Sequence, residues 1–396
     1  MKIVFLTDFL PNPEMIGGGL QNQFAHLAQS FHEMGDEVLV ICKSRNSNYT
    51  QYPFHVMEVK LSPKVEKYCQ SFSKWTFHKI DYTLMQAFEA WAVARRCRQI
   101  PGVDIIQSSN YQFMSLFIKP DKARRIVFAA SYRPLWSETK GVRNTFDNRL
   151  TSYLEGVLYK RAGAVFAPSA HLAAILEAQY KRPIDVLPTP LSENSLEENP
   201  GWYEQHLGKK KYMLYFGDMI KRKGIFTLAK AMQAVWEEDP DVLLVMAGPD
   251  KIVNGSSVMG EFIKMIEPHE NKVIYAGEID HPALFPLIKN AHFVILPSIE
   301  DNCPNTMLEA MSLGKAVIGT IGSSLDEFYP ASCSDLLVPR QNSGALAEKI
   351  LKLWNSPPEQ LDGYGKQCKS YIEENHALNK ATLALRNYYV QKISAH

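Results

Sequence analysis

The chain has 396 residues, which at the usual size of about 150 residues per domain predicts two or three domains. Hydrophobic residues make up 46% of the chain and the formal net charge is +1, so large cores are expected and no overall positive field indicates nucleic-acid binding. The six cysteines are far apart and form no CxxC pair, which argues against a disulfide framework or a zinc site and favours a reducing compartment.

The amino-terminal segment predicts a βαβ unit. A buried strand is predicted over Lys2 to Leu6, and the loop after it ends in Gly17, Gly18 and Gly19, directly before an amphipathic helix and a second strand. Glycines at a helix start allow the backbone to approach a ligand closely, although a flexible turn is the alternative. The glycines do not form GxGxxG and no acidic residue ends the second strand, so a dinucleotide fingerprint is disfavoured.

Two features of the chain bear on localisation. The first apolar run is too short for a signal peptide, and no uninterrupted apolar run approaches the ~20 residues of a membrane span, so we expect a cytoplasmic protein. The segment from Lys64 to Tyr82 mixes lysines with aromatic residues, so a peripheral contact with the inner face of a membrane, or with a lipid-linked acceptor, is one interpretation. An ordinary half-buried helix with a solvated face is the other.

A predicted boundary divides the chain. Residues 191–208 are rich in Ser, Glu, Asn and Pro and show little periodicity, so we interpret them as a linker. The first domain is therefore predicted over 1–190 and the second over 209–375, each with alternating strands and helices.

A cluster of cations follows the first strand of the second domain. After the predicted strand 212–216 come Gly217 and then Lys221, Arg222 and Lys223, directly before a helix. Cations beside a helix amino terminus are unfavourable unless an anion lies between them, and a diphosphate would supply that anion. A solvated basic turn is the alternative.

The stretch 294–320 predicts a strand, a polar loop, a helix from about Thr306 and a second strand. Ligands of open parallel sheets bind at the carboxyl edge where such a loop lies. Asp301 and Glu309 have seven residues between them, and the N–H groups of Asn305 and Thr306 should open the helix. A helix start suits phosphate and carboxylates accept hydrogen bonds from hydroxyls, so the pattern indicates a sugar joined to a phosphate. The alternative is a capping acid and a solvated helix residue.

Two motifs carry a resemblance to a known family. The segment PSIEDNCPNTMLEAMSLGKAVIGT resembles the acid-x7-Glu signature of the retaining glycosyltransferases of family 4, with Asp301 where Glu is commoner. The turn GDMIKRKG resembles the family's Gly-x5-Lys-Gly turn, in which the lysine that Lys223 matches contacts the donor diphosphate. The family usually has Arg directly after the Gly. Asp218 stands there in this chain, which leaves Arg222 or Lys221 as the substitute.

The resemblance implies an α/β fold of the GT-B type, with two Rossmann-like domains facing a cleft and a terminal helix, 376–396, that crosses back to the first domain. It implies that Lys223 contacts the diphosphate, that Asp301 binds the sugar hydroxyls and that Glu309 lies towards the ribose. It also implies that Gly277 and the residue after it lie along the nucleotide base. The implied donor-binding residues are Gly17, Gly18, Gly19, Gly217, Arg222, Lys223, Gly277, Glu278, Asp301, Asn302, Asn305, Thr306 and Glu309.

The resemblance fails at one catalytic position. The family commonly places a His after the strand predicted over 126–130, and this chain has Ser131, Tyr132 and Arg133 there. We take Lys223, Asp301 and Tyr132 as the catalytic candidates. In a front-face retaining mechanism the leaving phosphate itself can accept the proton of the acceptor, so the absence of this His does not abolish activity by itself.

The expected function is transfer of a sugar from a nucleotide-diphosphate sugar to a hydroxyl group of a sugar, a lipid-linked sugar or a small molecule. UDP and GDP are the expected nucleotides of the donor. The resemblance also implies that the anomeric configuration is retained and that neither a metal nor a cofactor is needed. It places the reaction in polysaccharide or glycoconjugate biosynthesis. The alternatives are a nucleotide-sugar epimerase and a catalytically silent GT-B protein that binds sugar nucleotides. A two-lobed binding protein of the transport type and a nicotinamide dehydrogenase are disfavoured, the first by the lack of an export signal and the second by the missing fingerprint.

Overall fold

The computed structural model describes residues 1–12, 18–43, 48–75, 80–119, 125–135, 145–191, 197–253, 255–302 and 304–394. These residues form two compact units. Unit 1 contains the described residues up to 191 together with the last helix, from Leu378, and unit 2 contains the described residues from 197 to 377. Five residues of the predicted linker, 192–196, lie outside the described residues.

Unit 1 is built on a seven-stranded parallel sheet with the strand order β3-β2-β1-β4-β5-β6-β7. Its inner strands are largely buried along their length, because helices cover both faces of a parallel sheet. The strands are β1 (Lys2–Thr7), β2 (Glu37–Lys43), β3 (His55–Val59), β4 (Ile105–Ser109), β5 (Arg125–Phe128), β6 (Ala164–Ala167) and β7 (Asp185–Val186).

The helices of unit 1 connect these strands, as parallel neighbours require crossover connections. The described helices are α1 (Gly19–Glu33), α2 (Pro63–Trp75), α3 (Asp81–Cys97), α4 (Phe146–Arg161), α5 (Ala170–Tyr180) and, from the end of the chain, α13 (Leu378–Ser394). The basic and aromatic segment therefore contains helix α2 and the start of α3, with residues 76–79 outside the described part.

The terminal helix α13 is part of the core of unit 1. The ring of Tyr389 stacks on Phe31 of α1 with 5.4 Å between centroids. Arg386 Nε donates to Asp36 Oδ2 at 2.8 Å, and the Tyr388 hydroxyl donates to Asp185 Oδ2 at 2.7 Å. The chain therefore returns to unit 1 after unit 2, as the resemblance implies for a GT-B protein.

Unit 2 repeats the architecture with a six-stranded parallel sheet in the order β12-β9-β8-β13-β14-β15 and a two-stranded antiparallel ribbon, β10-β11. Among the described residues its strands are β8 (Met213–Phe216), β9 (Leu244–Ala247), β10 (Ile252–Val253), β11 (Ser256–Ser257), β12 (Val273–Gly277), β13 (Val294–Ile295), β14 (Val317–Ile321) and β15 (Leu337–Pro339). The helices described there are α6 (Gly201–His206), α7 (Ile225–Glu238), α8 (Val258–Ile266), α9 (His281–Asn290), α10 (Asn305–Ser312), α11 (Ser343–Trp354) and α12 (Pro358–Asn375).

The sheet of unit 2 changes winding direction beside its first strand. From β8 the chain moves to β9 on one side, and later to β13 on the other side. In open parallel sheets this switch point leaves a crevice at the carboxyl ends of the two central strands, where ligands bind. The loops that follow β8 and β13 both lie at this crevice, and they carry the basic turn and the acidic loop predicted from the sequence.

Within the described residues, no helix combines the length and the apolar character needed to cross a membrane.

Candidate functional site

The basic turn after β8 lies directly against the loop after β13. Gly224, which ends the turn, has φ +78°, and a Cβ atom at this position would lie 1.8 Å from the carbonyl oxygen of Pro297. The N–H of Ile299 donates to the carbonyl oxygen of Arg222 at 2.8 Å. Only glycine combines this backbone conformation with this close approach, so Gly224 allows the two loops to meet.

The two loops bring Lys223 and Asp301 into contact. Lys223 Nζ lies 2.5 Å from Asp301 Oδ2, and an Arg222 guanidinium nitrogen lies 3.7 Å from Oδ1. Asp301 is 4% exposed, and the N–H of Asn302 also donates to Oδ1 at 3.0 Å. Burial opposes ionisation of Asp301, but the charges of Lys223 and Arg222 outweigh it and hold the pKa of the carboxyl group below its ordinary value. The carboxylate is therefore ionised at neutral pH.

Arg222 and Lys221, the two possible substitutes for the usual Arg, have different surroundings. The Arg222 guanidinium donates to the carbonyl oxygen of Glu300 at 2.9 Å and so lies inside the crevice. Lys221 lines a different cavity, together with Thr227 and Lys230 of α7. Asp218, which follows Gly217, forms an exposed pair with Lys251 at 3.4 Å.

Two buried polar atoms at the crevice have no partner among the described residues. They are Arg222 Nε and Asn302 Oδ1. Buried donors and acceptors are normally paired, so unpaired ones at a sheet edge indicate that a polar ligand completes the site. One atom is a cationic donor and the other an acceptor, which fits a ligand with both anionic oxygens and hydroxyl groups.

A set of hydroxyl groups at the end of β14 fixes the acidic loop. Thr320 Oγ1 donates to the carbonyl oxygen of Ser298 at 2.5 Å, and Ser324 Oγ donates to that of Asp301 at 2.6 Å. The N–H of Asp301 donates in turn to the carbonyl oxygen of Ser323 at 3.0 Å. The sequence alone did not assign a role to these residues. Their role is to hold Asp301 in place through backbone contacts.

The start of helix α10 lies beside the end of β8. A Cβ atom on Gly217 would lie 3.5 Å from the methyl group of Thr306. The first N–H groups that bond within the helix are those of Met307 and Leu308, both to the carbonyl oxygen of Pro304. Asn305 and Thr306 precede these donors, so they form the helix start that the sequence predicted, one residue earlier than expected.

Glu309, one turn into α10, faces a residue that the sequence did not single out. Its Oε1 atom lies 3.6 Å from Nε2 of His281, the first residue of α9. The neighbouring Glu309 carboxylate, a potential acceptor for the imidazole N–H, raises the pKa of His281 above its ordinary value, although burial opposes this. No local pattern around His281 indicates the contact, because it depends on how α9 and α10 pack.

The two residues predicted along a nucleotide base follow β12. Gly277 ends the strand with φ +71°, and its carbonyl oxygen accepts a hydrogen bond from the N–H of Gly248 at 2.7 Å. Glu278 is exposed in the next position. Both therefore lie at the carboxyl edge of the sheet, beside the ends of β8 and β9.

The candidates in unit 1 have separate surroundings. Gly17 lies outside the described residues, while Gly18 and Gly19 form the cap and the first residue of α1. The ring of Tyr132 packs edge-on against Tyr180 with 6.5 Å between centroids, and burial raises the pKa of its hydroxyl group. Tyr132 is therefore protonated at neutral pH and can donate a hydrogen bond.

Arg133, next to Tyr132, forms an ion pair with the carboxylate of Glu155. Its guanidinium lies 2.8–2.9 Å from Oε1 of Glu155, which is 2% exposed. The carbonyl oxygen of Ser131 accepts hydrogen bonds from Asn110 and from the Tyr159 hydroxyl, both at 3.1 Å. Of the three residues at the position of the usual His, Arg133 is thus engaged in a buried ion pair, and the catalytic role of Tyr132 stays a prediction.

Within the part of the chain that the structure describes, no group of three or more His, Cys, Asp or Glu side chains could hold a metal ion.

Family models match a stretch of each unit. A family model described as Glycosyltransferase Family 4 matches residues 17–194, and one described as Glycosyl transferases group 1 matches residues 210–356. The second match contains the whole crevice of unit 2, from Gly217 to Glu309.

Curated relatives match less than half of this chain. MJ1059 of Methanocaldococcus jannaschii, described as an uncharacterized glycosyltransferase, is 24% identical over 203 residues, which is 46% of this chain and 48% of the relative. TuaC of Bacillus subtilis, described as a putative teichuronic acid biosynthesis glycosyltransferase, is 22% identical over 188 residues, 44% of each chain. The chain spans about half the length of the curated relatives it matches.

Solved structures match over the whole chain. A sucrose-phosphate synthase from Thermosynechococcus elongatus has a TM-score of 0.75 and 16% identity, with 100% of both chains covered. HepE of Anabaena, solved in complex with UDP and glucose, has a TM-score of 0.74 and 15% identity, with 99% of this chain and 100% of that chain covered. At such identities the likeness shows the fold, two Rossmann-like α/β domains of the GT-B type. The two family models together match most of the chain, and the protein belongs to the group 1 glycosyltransferases of family 4.

Proposed function

We propose that this protein transfers a sugar from a nucleotide-diphosphate sugar to a hydroxyl acceptor, with retention of anomeric configuration and without a metal. The observation that carries the proposal is the contact between the basic turn and the acidic loop at the switch point of unit 2, with Lys223 and Arg222 around Asp301. The two cations and the carboxylate together match a ligand that has phosphate oxygens next to sugar hydroxyls.

The diphosphate would be bound by Lys223, Arg222 and the start of α10. The unpaired Nε of Arg222 is one buried donor for an anionic oxygen. Backbone N–H groups at Asn305 and Thr306, together with the positive end of the helix dipole, supply further stabilisation. These groups replace a metal as the source of positive charge.

The sugar would compete with Lys223 for Asp301. In the structure the cations neutralise this carboxylate, and a bound diphosphate would draw them towards its own oxygens. Asp301 could then accept hydrogen bonds from sugar hydroxyls, while Glu309 accepts from the ribose and the turn at Gly277 and Glu278 lies along the base. The ion pair thus keeps Asp301 ionised in the absence of ligand, as its lowered pKa requires.

The transfer step is a displacement at the anomeric carbon. The bond from this carbon to the phosphate oxygen breaks, and the bond to the acceptor oxygen forms on the same face. The acceptor proton passes to the departing phosphate oxygen. Preorganised cations and N–H groups lower the barrier because negative charge collects on the leaving diphosphate. Tyr132 of unit 1 is the further catalytic candidate, and its hydroxyl, which stays protonated, can donate a hydrogen bond.

The relatives guide the choice of donor. HepE was solved with UDP and glucose, and TuaC is described as acting in teichuronic acid biosynthesis. The HepE complex supports UDP-sugars as the first donors to test, with GDP-sugars second, and the description of TuaC supports polysaccharide or glycoconjugate assembly as the setting.

The first experiment measures thermal stabilisation by UDP, GDP, ADP, TDP and CMP and by their sugars, in EDTA. A ligand that binds the folded state raises the unfolding midpoint, by about 2.7 kcal/mol of stability at a concentration 100 times its dissociation constant. A shift with one diphosphate that disappears in Lys223→Met supports the donor site. The absence of any shift would overturn the proposal.

A second experiment separates the remaining functions. The identified donor is incubated with and without a panel of sugar and lipid-linked acceptors, and the product anomer is read by NMR. Acceptor-dependent release of nucleoside diphosphate with a retained anomer supports transfer. Donor conversion without acceptor would indicate an epimerase, and tight binding without turnover would indicate a silent sugar-nucleotide-binding protein.

A further inference from the structure

The imidazole of His281 is held in a defined place beside α10. Helix α9 begins at His281, and the preceding Asp280 caps it by accepting a hydrogen bond from the N–H of Ala283 at 3.1 Å. The ring of Phe285, one turn further along α9, lies edge-on to the imidazole at 5.7 Å between centroids. The cap and the ring therefore fix His281 on the side of α9 that faces Glu309.

The contact with Glu309 is partly shielded from water. The Glu309 side chain is 17% exposed, and that of His281 is 42% exposed. Among the described residues, the charged groups that act on His281 are Glu309 of α10 and Asp280, which precedes its own helix, and both favour the protonated imidazole. Since these groups are acidic, His281 becomes, when protonated, the positive partner of the carboxylate proposed to bind the ribose.

We propose that His281 is a positioning residue for donor binding, which holds the Glu309 carboxylate in the orientation that accepts hydrogen bonds from the ribose hydroxyls. The inference rests on the proposed function, because it requires a nucleotide ribose at Glu309. A carboxylate has about four lone-pair positions on two oxygens, so Oε1 can face His281 while the other oxygen accepts from the ribose.

The protonation state of His281 adds a dependence on pH. The donor brings the negative charge of a diphosphate to unit 2, and this charge favours the protonated imidazole. Binding should therefore take up a fraction of a proton, and the dissociation constant should rise as the pH increases through the pKa of His281. Because that pKa is raised by Glu309, the change falls above the ordinary histidine value.

The first test is a thermodynamic cycle between the protein and the ribose. Dissociation constants of UDP and of 2′,3′-dideoxyuridine 5′-diphosphate are measured by calorimetry at pH 6.5 for the wild type, His281→Ala and His281→Gln. The guanosine pair replaces them if the nucleotide panel selects GDP. We expect His281→Ala to weaken the normal diphosphate about 10-fold and the dideoxy analogue much less, because the analogue has no ribose hydroxyls for Glu309. His281→Gln keeps an N–H donor and should recover most of the loss.

The second test measures pH dependence with UDP-glucose, whose phosphates are diesters and do not titrate between pH 6 and 9. The wild type should bind this donor several-fold more weakly at pH 8.5 than at pH 6.5, and His281→Gln should bind it equally at both. His206→Gln is the matched control, since His206 belongs to unit 2 but bonds to the Trp202 carbonyl on its own short helix.

Each outcome supports or overturns the inference. A His281→Ala variant that loses affinity equally for the normal and dideoxy diphosphates would show a merely structural role and overturn it. Unchanged affinity for the normal diphosphate would do the same while the proposed function stands. A wild-type protein that binds none of the nucleotides would overturn the proposed function and this inference with it.

Discussion

The ammonium group of Lys223 lies 2.5 Å from Asp301 Oδ2, across the crevice between the loops that follow β8 and β13. The two side chains are 14% and 6% exposed. A largely buried ion pair costs desolvation energy that its attraction only partly offsets, so such a pair is weak support for a role in stability. We therefore expect the pair to matter more for ligand binding than for folding, and this expectation can be tested by removing its charges singly and together.

Lys223→Met should abolish stabilisation by the nucleoside diphosphate and lower kcat by about 100- to 1,000-fold, as expected for one missing cation at a leaving diphosphate. It should also lower the free energy of unfolding, because Asp301 stays buried with only Arg222 at 3.7 Å to neutralise it. Urea unfolding and steady-state kinetics measure the two effects.

The double variant Lys223→Met/Asp301→Asn is the control for these charges. It removes both partners, so stability should return towards the wild type while activity stays low. Recovery of activity in the double variant would contradict the assignment of Lys223 to the diphosphate. It would show that Lys223→Met lowers activity only by leaving the charge of Asp301 uncompensated.

Gly224→Ala should disrupt the crevice. The new methyl group would overlap the Pro297 carbonyl oxygen, which lies 1.8 Å from the position of the Cβ atom, and the backbone has φ +78°. We expect a loss of about 3 kcal/mol or more of unfolding free energy, and loss of nucleotide binding because the basic turn must move.

Gly314→Ala provides the matched comparison. Gly314 has φ +75°, but a Cβ atom there would meet nothing within 4 Å. This variant should cost only the backbone strain, about 1 kcal/mol, and should bind nucleotide normally. Equal destabilisation of the two variants in urea titrations would show that the contact with Pro297 is unimportant.

The alternation of strands and helices could be predicted from the sequence because parallel strands are buried on both faces and form continuous apolar runs. The strand predicted over Lys2 to Leu6 ends one residue later in the structure, at Thr7, and the helix predicted from about Thr306 begins at Asn305. These small differences arise at element ends, where capping and packing decide the boundary.

The contacts of the site could not be predicted in the same way. Lys223 and Asp301 are 78 positions apart, and their contact depends on β8 and β13 being neighbours in the sheet. The roles of His281 and of Ser324 depend likewise on helix and loop packing that no local period encodes. The different surroundings of Arg222 and Lys221 could not be predicted either, because adjacent residues in a turn point in different directions.

Asp36→Asn should loosen the terminal helix and change how stability depends on pH. Burial opposes ionisation of Asp36, but hydrogen bonds and charge from Arg386 and the amino terminus outweigh it, so its pKa lies below the ordinary 3.8. A lowered pKa means that the carboxylate stabilises the folded state above pH 3.8 and that this contribution is lost as the pH falls through the folded-state pKa. We expect the variant to lose about 2 kcal/mol or more at pH 6, and progressively less below pH 4.

Glu37→Gln is the neighbouring control for Asp36→Asn. Glu37 pairs with Lys2 at 2.9 Å, but its side chain is 68% exposed, so its removal should cost less than about 0.5 kcal/mol. Hydrogen exchange should show faster exchange in α13 only for Asp36→Asn. The same exchange pattern in both variants would contradict the expectation that Asp36 holds α13 on unit 1.

Tyr132→Phe tests the catalytic candidate among the three residues, 131–133, that stand where the family commonly has a His. The substitution keeps the ring against Tyr180 and removes only the hydroxyl group, which its raised pKa keeps protonated at neutral pH. If this hydroxyl donates a hydrogen bond near the transferred sugar, kcat should fall about 10- to 100-fold while donor affinity and stability stay the same. Tyr180→Phe, which alters the packing partner, should leave kcat within about 2-fold of the wild type. An unchanged kcat in Tyr132→Phe would remove Tyr132 from the catalytic residues, and the proposed transfer of the acceptor proton to the departing phosphate would stand without it.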